Sequence, residues 1–327
     1  MRNQIFDIVD RIIRGGSLTE AEGHHILHAR GSDVGWVLAG AQQLRETFCG
    51  DRAGLCMIVN AKSGHCSEDC RFCAQSAHYQ TGAPVFPLKT KQQLVSEAQQ
   101  ADQRGARCFG IVTSGARIQS GEELECLLDT FREIRATTGI EPSASLGLLD
   151  AATADALADA GCVTYHHNLE TARSFFPEIC TTHDYEEDLE TVRVAKAAGM
   201  KVCCGGLFGL GESVEQRLEF GLTLRGLDID SVPINFLNPV AGTPLANSLP
   251  LEPMEALKII ALYRYLMPQR HITVCGGRAS TLGDFQSWIF HAGASGMMVG
   301  DYLTTPGRQL SDDLGMVAAA GLTYECC

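Results

Sequence analysis

Apolar residues Ile5, Ile8, Val9 and Ile12 recur at intervals of three and four, which predicts an amphipathic helix over residues 4–14. Ser17-Leu18-Thr19-Glu20 carries a capping-box signal for a second helix. Residues 1–50 are therefore expected to form an N-terminal helical extension that covers a barrel end. Beyond it, short strand-like runs alternate with amphipathic stretches, the order of a parallel α/β domain. Eight runs centre on residues 56–60, 107–113, 142–146, 163–168, 201–206, 231–236, 272–275 and 297–299. Helical stretches over 91–103, 121–135, 151–160, 187–198, 214–224 and 253–266 lie between them. Eight units predict a closed (β/α)8 TIM-type barrel over residues 51–327, ending in a C-terminal tail. No linker, low-complexity segment or composition break divides it.

Composition narrows the class. Hydrophobic residues make up 45% and charged residues 20% of the 327, as in a soluble globular enzyme. Apolar runs such as Ile259-Ile260-Ala261-Leu262 are far too short to span a bilayer, and the start Met1-Arg2-Asn3-Gln4 shows no secretory or transit pattern, so a cytoplasmic protein is expected. Twenty-six Lys and Arg against 39 Asp and Glu give a net charge of −13, which argues against nucleic acid as a partner. Fourteen cysteines in a chain of this length point to thiolate ligation for some, and to plain buried packing for others such as Cys126 and Cys162.

Three of those cysteines dominate the chemistry: Cys66, Cys70 and Cys73, in the run Gly64-His65-Cys66-Ser67-Glu68-Asp69-Cys70-Arg71-Phe72-Cys73. Thiolates at this spacing can wrap one corner of a cubane iron–sulfur cluster and leave the fourth iron open. A structural zinc site is the rival, with His65 or His78 as fourth ligand, although no second CxxC pair follows at zinc-ribbon spacing. The pattern CxxxCxxC with an aromatic residue before the last cysteine, here Phe72, resembles the signature of the radical S-adenosylmethionine (radical SAM) enzymes. That resemblance implies a 4Fe-4S cluster whose open iron is chelated by S-adenosyl-L-methionine, with Phe72 beside the adenine.

A closer resemblance runs from about residue 50 to 310. It is carried by Cys73-Ala74-Gln75-Ser76-Ala77-His78-Tyr79, Tyr165-His166-His167-Asn168-Leu169-Glu170-Thr171, Val202-Cys203-Cys204-Gly205-Gly206, Ser231-Val232-Pro233-Ile234-Asn235, Gly242-Thr243-Pro244-Leu245 and Leu303-Thr304-Thr305-Pro306. These segments resemble the biotin synthase family. The resemblance implies sulfur insertion into dethiobiotin, initiated by a 5′-deoxyadenosyl radical, because an inert C–H bond is beyond side-chain acid–base chemistry. It also implies roles: Asn168 at substrate and cosubstrate, Glu170 at the ribose, Asn235 at the ureido ring, and Thr304 and Thr305 at the substrate carboxylate. Read without the family, the asparagines are turn or cap residues and the threonines a helix cap. Gly206 and Gly209, in Gly205-Gly206-Leu207-Phe208-Gly209-Leu210-Gly211-Glu212, match the family's segment beside the adenine. A low-potential reductant such as flavodoxin or ferredoxin, and a homodimer, follow from the same resemblance.

The chain also departs from the family. There the sulfur donor is a second cluster of two irons and two sulfides, held by three cysteines and one arginine. Cys108 and Cys203 match two of those cysteines, but Ser143 stands where the third is expected and Thr273 where the arginine is expected. Cys275 lies two residues beyond Thr273, on the same strand face. Cys108, Cys203 and Cys275 are thus the expected ligands of the auxiliary iron–sulfur cluster, and three thiolates without an arginine favour a four-iron cluster with one open iron over a two-iron cluster. Ser143 as an alkoxide ligand is the rival. Cys204 should face away from the barrel, since neighbours on a strand alternate. Cys326 and Cys327 are expected in a mobile tail, incidental or able to shuttle sulfur. Related radical SAM enzymes of cofactor assembly or amino-acid rearrangement are the alternative activity, and a zinc-stabilised, non-catalytic binding barrel is the alternative of another class.

Overall fold

The computed structural model describes residues 1–103, 106–118, 121–305 and 307–326, with residues 325 and 326 described through their backbone alone. Pro306 and Cys327 lie outside the described residues.

The strands in chain order are β1 (Arg52–Cys56), β2 (Ile58–Lys62), β3 (Cys108–Thr113), β4 (Glu141–Ser145), β5 (Thr164–His166), β6 (Lys201–Cys203), β7 (Gly206–Phe208), β8 (Ser231–Phe236), β9 (His271–Val274), β10 (Gly296–Met298) and β11 (Thr323–Cys326). Two pairs of them are single strands with a break. β1 and β2 are interrupted only at Met57, and β6 and β7 only at Cys204 and Gly205. β1 pairs in parallel with β10, while β2 pairs in parallel with β3. The ring therefore returns on itself through one split strand, and its eight positions coincide with the eight runs expected from the sequence. Helices Lys91–Gln103, Glu122–Thr137, Ala151–Asp159, Tyr185–Ala197, Val214–Gly226 and Pro253–Leu266 connect them, as a right-handed parallel barrel requires.

Alternation along the strands decides what faces inward. Phe109 and Ile111 of β3, Ala144 of β4, Val202 of β6 and Val232 and Ile234 of β8 are buried in the apolar layer between strands and helices. The residues between them, including Cys108, Ser143, Cys203 and Ser231, point to the barrel interior.

Two expectations need correction, the start of the second helix and the state of the last segment. The second helix starts two residues late relative to its predicted cap, because Thr19 is the N-cap and Glu22 closes the capping box. The N-terminal helices dock along outer helices Val214–Gly226 and Pro253–Leu266: the buried Lys258 ammonium donates to Leu27 O at 2.7 Å, and Tyr265 OH donates to Val37 O at 3.0 Å. The last segment is no free tail, since β11 pairs in parallel with β1 and Leu55 stands opposite Cys326.

A buried ion pair holds the last helix, Leu310–Ala319, to the barrel. Arg278 Nη2 meets both Asp313 oxygens at 2.9 and 3.0 Å, with each side chain 1% exposed. Removing one partner strands the other charge in the interior, so Asp313→Ala is expected to lower stability by about 3–5 kcal/mol. A shifted denaturant midpoint checks this, and a change below about 1 kcal/mol would show the pair to be dispensable.

Candidate active site

The three-cysteine loop follows β2 directly, at the C-terminal end of the barrel where catalytic residues gather. Gly64 at φ 81° and His65 at φ 53° turn the chain sharply into it, and Ser114 Oγ pins the turn by donating to Gly64 O at 2.7 Å. Cys66 N–H donates to Gln75 O at 3.1 Å, Ala77 N–H to Cys66 O at 2.8 Å and Cys73 N–H to Cys70 O at 2.9 Å. The loop thereby closes on itself, and Cys66, Cys70 and Cys73 line a single cavity of about 330 Å³. Burial pushes the Cys73 thiol up to about 11, and the Cys180 sulfur, with burial, raises Cys70 as well. Thiols so placed are poor anions by themselves but deprotonate on a metal. Phe72 turns away from them, against a small apolar cluster of Ile179, Leu210, Leu237 and Leu245. Three convergent thiols on one open cavity fit a cluster with three protein ligands.

The sequence reading missed the neighbours of this loop. Cys180 Sγ lies 3.7 Å from Cys70 Sγ and 3.3 Å from His183 Nδ1, which in turn is 2.6 Å from Glu68 Oε2. His183 Nε2 meets Asp188 Oδ2 at 3.2 Å, and the other Asp188 oxygen meets His167 Nε2 at 2.8 Å. Asp69 accepts from Thr181 N–H at 2.8 Å. This hydrogen-bonded chain ties the cluster loop to the end of β5. Nothing local in Cys180-Thr181-Thr182-His183 announces it, since more than 100 residues separate the partners.

Asn168 and Glu170 follow β5 and line the same cavity. Glu170 adopts φ 62°, rare for a side-chain-bearing residue, and its carboxyl is pushed up to about 8 by burial and by Asp188, against a hydrogen bond from Asn168. Gly206 sits where a Cβ would fall 2.3 Å from Glu170 O, so only glycine permits this approach. Gly209, at φ 89°, has its N–H bound to Glu212 at 3.0 Å. Asn235 lines the cavity with its amide already oriented: Nδ2 donates to Gly206 O at 3.2 Å and Oδ1 accepts from Gly276 N–H at 2.9 Å. One donor hydrogen and one lone pair remain for a ligand. Leu303 lines the cavity too, and Thr304 and Thr305 follow it, half-buried.

Deeper in the barrel, Cys275 lines the cavity, and burial together with the Cys203 thiol raises its pKa. Burial pushes Cys203 up to about 11. Cys108 opens β3 on the same inward face as Val112, a cavity residue. Ser143 is also inward, beside Gly110, and Thr273 faces Gly296. Cys204 is fully buried in the outer apolar layer.

Residues 62–222 match the family model described as Radical SAM superfamily, and residues 233–323 match the Biotin and Thiamin Synthesis associated domain. The chain is 82% identical over 327 residues to a biotin synthase of Syntrophotalea carbinolica, covering all of both chains. It is 56% identical over 327 residues to a biotin synthase of Geobacter sulfurreducens, covering 100% of this chain and 99% of that one. Among solved structures, methylornithine synthase superposes with a TM-score of 0.86 at 18% identity over 97% of each chain. The FeFe-hydrogenase maturase HydG from Carboxydothermus hydrogenoformans gives 0.83 at 18% identity, over 99% of this chain and 80% of that one. These two likenesses speak to the barrel alone. The full-length relatives at 82% and 56% identity, with the radical SAM model over residues 62–222, show the family: the chain belongs to the biotin synthase family of radical SAM enzymes.

Proposed function

We propose that this enzyme converts dethiobiotin to biotin in one cavity, with Cys66, Cys70 and Cys73 holding the 4Fe-4S cluster at the mouth and Cys108, Cys203 and Cys275 holding a sulfur-donating cluster beneath it. The carrying observation is that thiols occupy both levels of one barrel, with Asn168 and Asn235 on the wall of the cavity. When bound, the 4Fe-4S cluster supplies the electron that cleaves S-adenosyl-L-methionine to methionine and a 5′-deoxyadenosyl radical.

The chain's own residues do the positioning. Glu170 and Asn168 bind the cosubstrate, Gly206 and Gly209 let backbone approach the adenine, and Phe72 closes that side with apolar surface. Asn235 offers its remaining donor and acceptor to the cyclic urea, while Thr304 and Thr305 hold the far carboxylate. A flavodoxin or ferredoxin as reductant, a cytoplasmic site of action and a homodimer complete the proposal.

Anaerobic assay of reconstituted protein with dethiobiotin, S-adenosyl-L-methionine and reductant tests it. Biotin and 5′-deoxyadenosine should form together. Cleavage of the cosubstrate without any biotin would overturn the assignment of substrate.

Asn235→Ala should weaken dethiobiotin by roughly 1–3 kcal/mol while sparing S-adenosyl-L-methionine, because a buried amide partner is lost. Equilibrium binding of both ligands checks this, and unchanged dethiobiotin affinity would remove Asn235 from the substrate site.

A further inference from the structure

A fourth inward thiol lies between two of the three just named. Ala53 and Leu55 of β1 are fully buried in the outer apolar layer, so Gly54 and Cys56 face the interior. Cys56 stands opposite Met298 of β10, and Met298 lines the cavity. One strand further, Met297 stands opposite Val274, so the next rung sets Met298 beside Cys275.

Register on the other side points to Cys108. Ile58 stands opposite Gly110 of β3, and the Met57 carbonyl accepts a 3.1 Å hydrogen bond from Gly110 N–H across the break between β1 and β2. Two residues back, Cys56 lies on the same inward face as Ile58, at the point where that edge of the strand passes from β11, which pairs as far as Leu55, to β3, whose first residue is Cys108. Cys56 thus occupies the stretch of wall that separates Cys108 from Cys275. Cys203 faces them from β6, in register with His166 and Ser231.

We infer that Cys56 is the fourth thiolate ligand of the interior iron–sulfur cluster, beside Cys108, Cys203 and Cys275, an inference that rests on the interior cluster proposed above. Four thiolates from strands one, two, five and seven form a complete ligand set for a two-iron or a four-iron cluster. No arginine is then required, and no open iron follows from the donor count. Ser143 loses its claim as well: its hydroxyl neighbours Gly110, and iron in a sulfide cluster favours soft thiolate over oxygen.

The test uses the full-length chain with Cys66, Cys70 and Cys73 replaced by alanine, so that bound iron reports the interior site. It is reconstituted anaerobically with iron and sulfide, then read by iron and sulfide analysis and Mössbauer spectroscopy. Adding Cys56→Ala should cut interior iron at least twofold. Adding Cys56→Ser, which keeps size and replaces sulfur by oxygen, should retain iron with altered Mössbauer parameters. If both variants match the parent in iron content and spectrum, Cys56 is not a ligand. If the parent itself binds no iron with Cys56 intact, the interior-cluster reading fails, and the inference with it.

Discussion

Cys70→Ala abolishes 5′-deoxyadenosine formation: this is the result expected from the geometry of the loop. Its two neighbours in the motif, Cys66 and Cys73, cannot hold a cubane by themselves, because each protein-bound iron needs its own thiolate. The loop is also built around Cys70, whose carbonyl accepts from Cys73 N–H at 2.9 Å and whose sulfur sits 3.7 Å from Cys180. Cys180 is the nearby thiol that could substitute for it, so the variant is paired with Cys70→Ala/Cys180→Ala. Chromatographic detection of 5′-deoxyadenosine after anaerobic reduction provides the readout. A Cys70→Ala protein that cleaves S-adenosyl-L-methionine at the original rate refutes the ligand assignment if the double variant does so too. Activity in the single variant alone would make Cys180 the replacement ligand.

Cys275→Ala is expected to separate the two halves of the reaction. Cys275 belongs to strand seven, well removed in sequence from the three-cysteine loop, yet it lines the same cavity and lies near Cys203. Its loss should leave cosubstrate cleavage in place while biotin formation falls to background, because the sulfur source goes and the radical source stays. The two products are measured in one reaction. Full biotin yield from this variant would sink the sulfur-donor role, and loss of both products would place Cys275 in the structural support of the mouth instead.

Much of the architecture was legible because buried parallel strands read as short apolar runs with helical stretches between them. Runs such as 107–113 and 231–236 fell within a residue of β3 and β8. The breaks at Met57 and at Cys204-Gly205 were not legible: at the first the pairing passes from β10 to β3, at the second β8 stays the partner on both sides, and an apolar run marks neither. For the same reason Cys56 was placed on strand one without its facing being known. β11 was missed because Thr323-Tyr324-Glu325-Cys326 has no apolar run and owes its pairing to β1. At the site, motif spacing singled out Cys66, Cys70 and Cys73, which line one cavity. Cys180, His183 and Asp188 are near neighbours in sequence, but the contacts of Cys180 with Cys70 and of His183 with Glu68 span more than 100 residues, and motif spacing gave no sign of them.

The split first strand has a consequence for how the protein is made. Gly54 finds its partner in Gly296, about 240 residues later, so the seam of the ring is the last part of it to be joined. At roughly 5–20 residues per second, the first strand waits on the order of 12–50 s for its neighbour to leave the ribosome. Throughout that interval its edge and the cysteines beside it are open to wrong partners and stray metal. Any cluster held by the interior thiols would therefore have to be loaded into the finished chain, and until strand eight arrives the nascent half-barrel carries exposed thiols that need shielding.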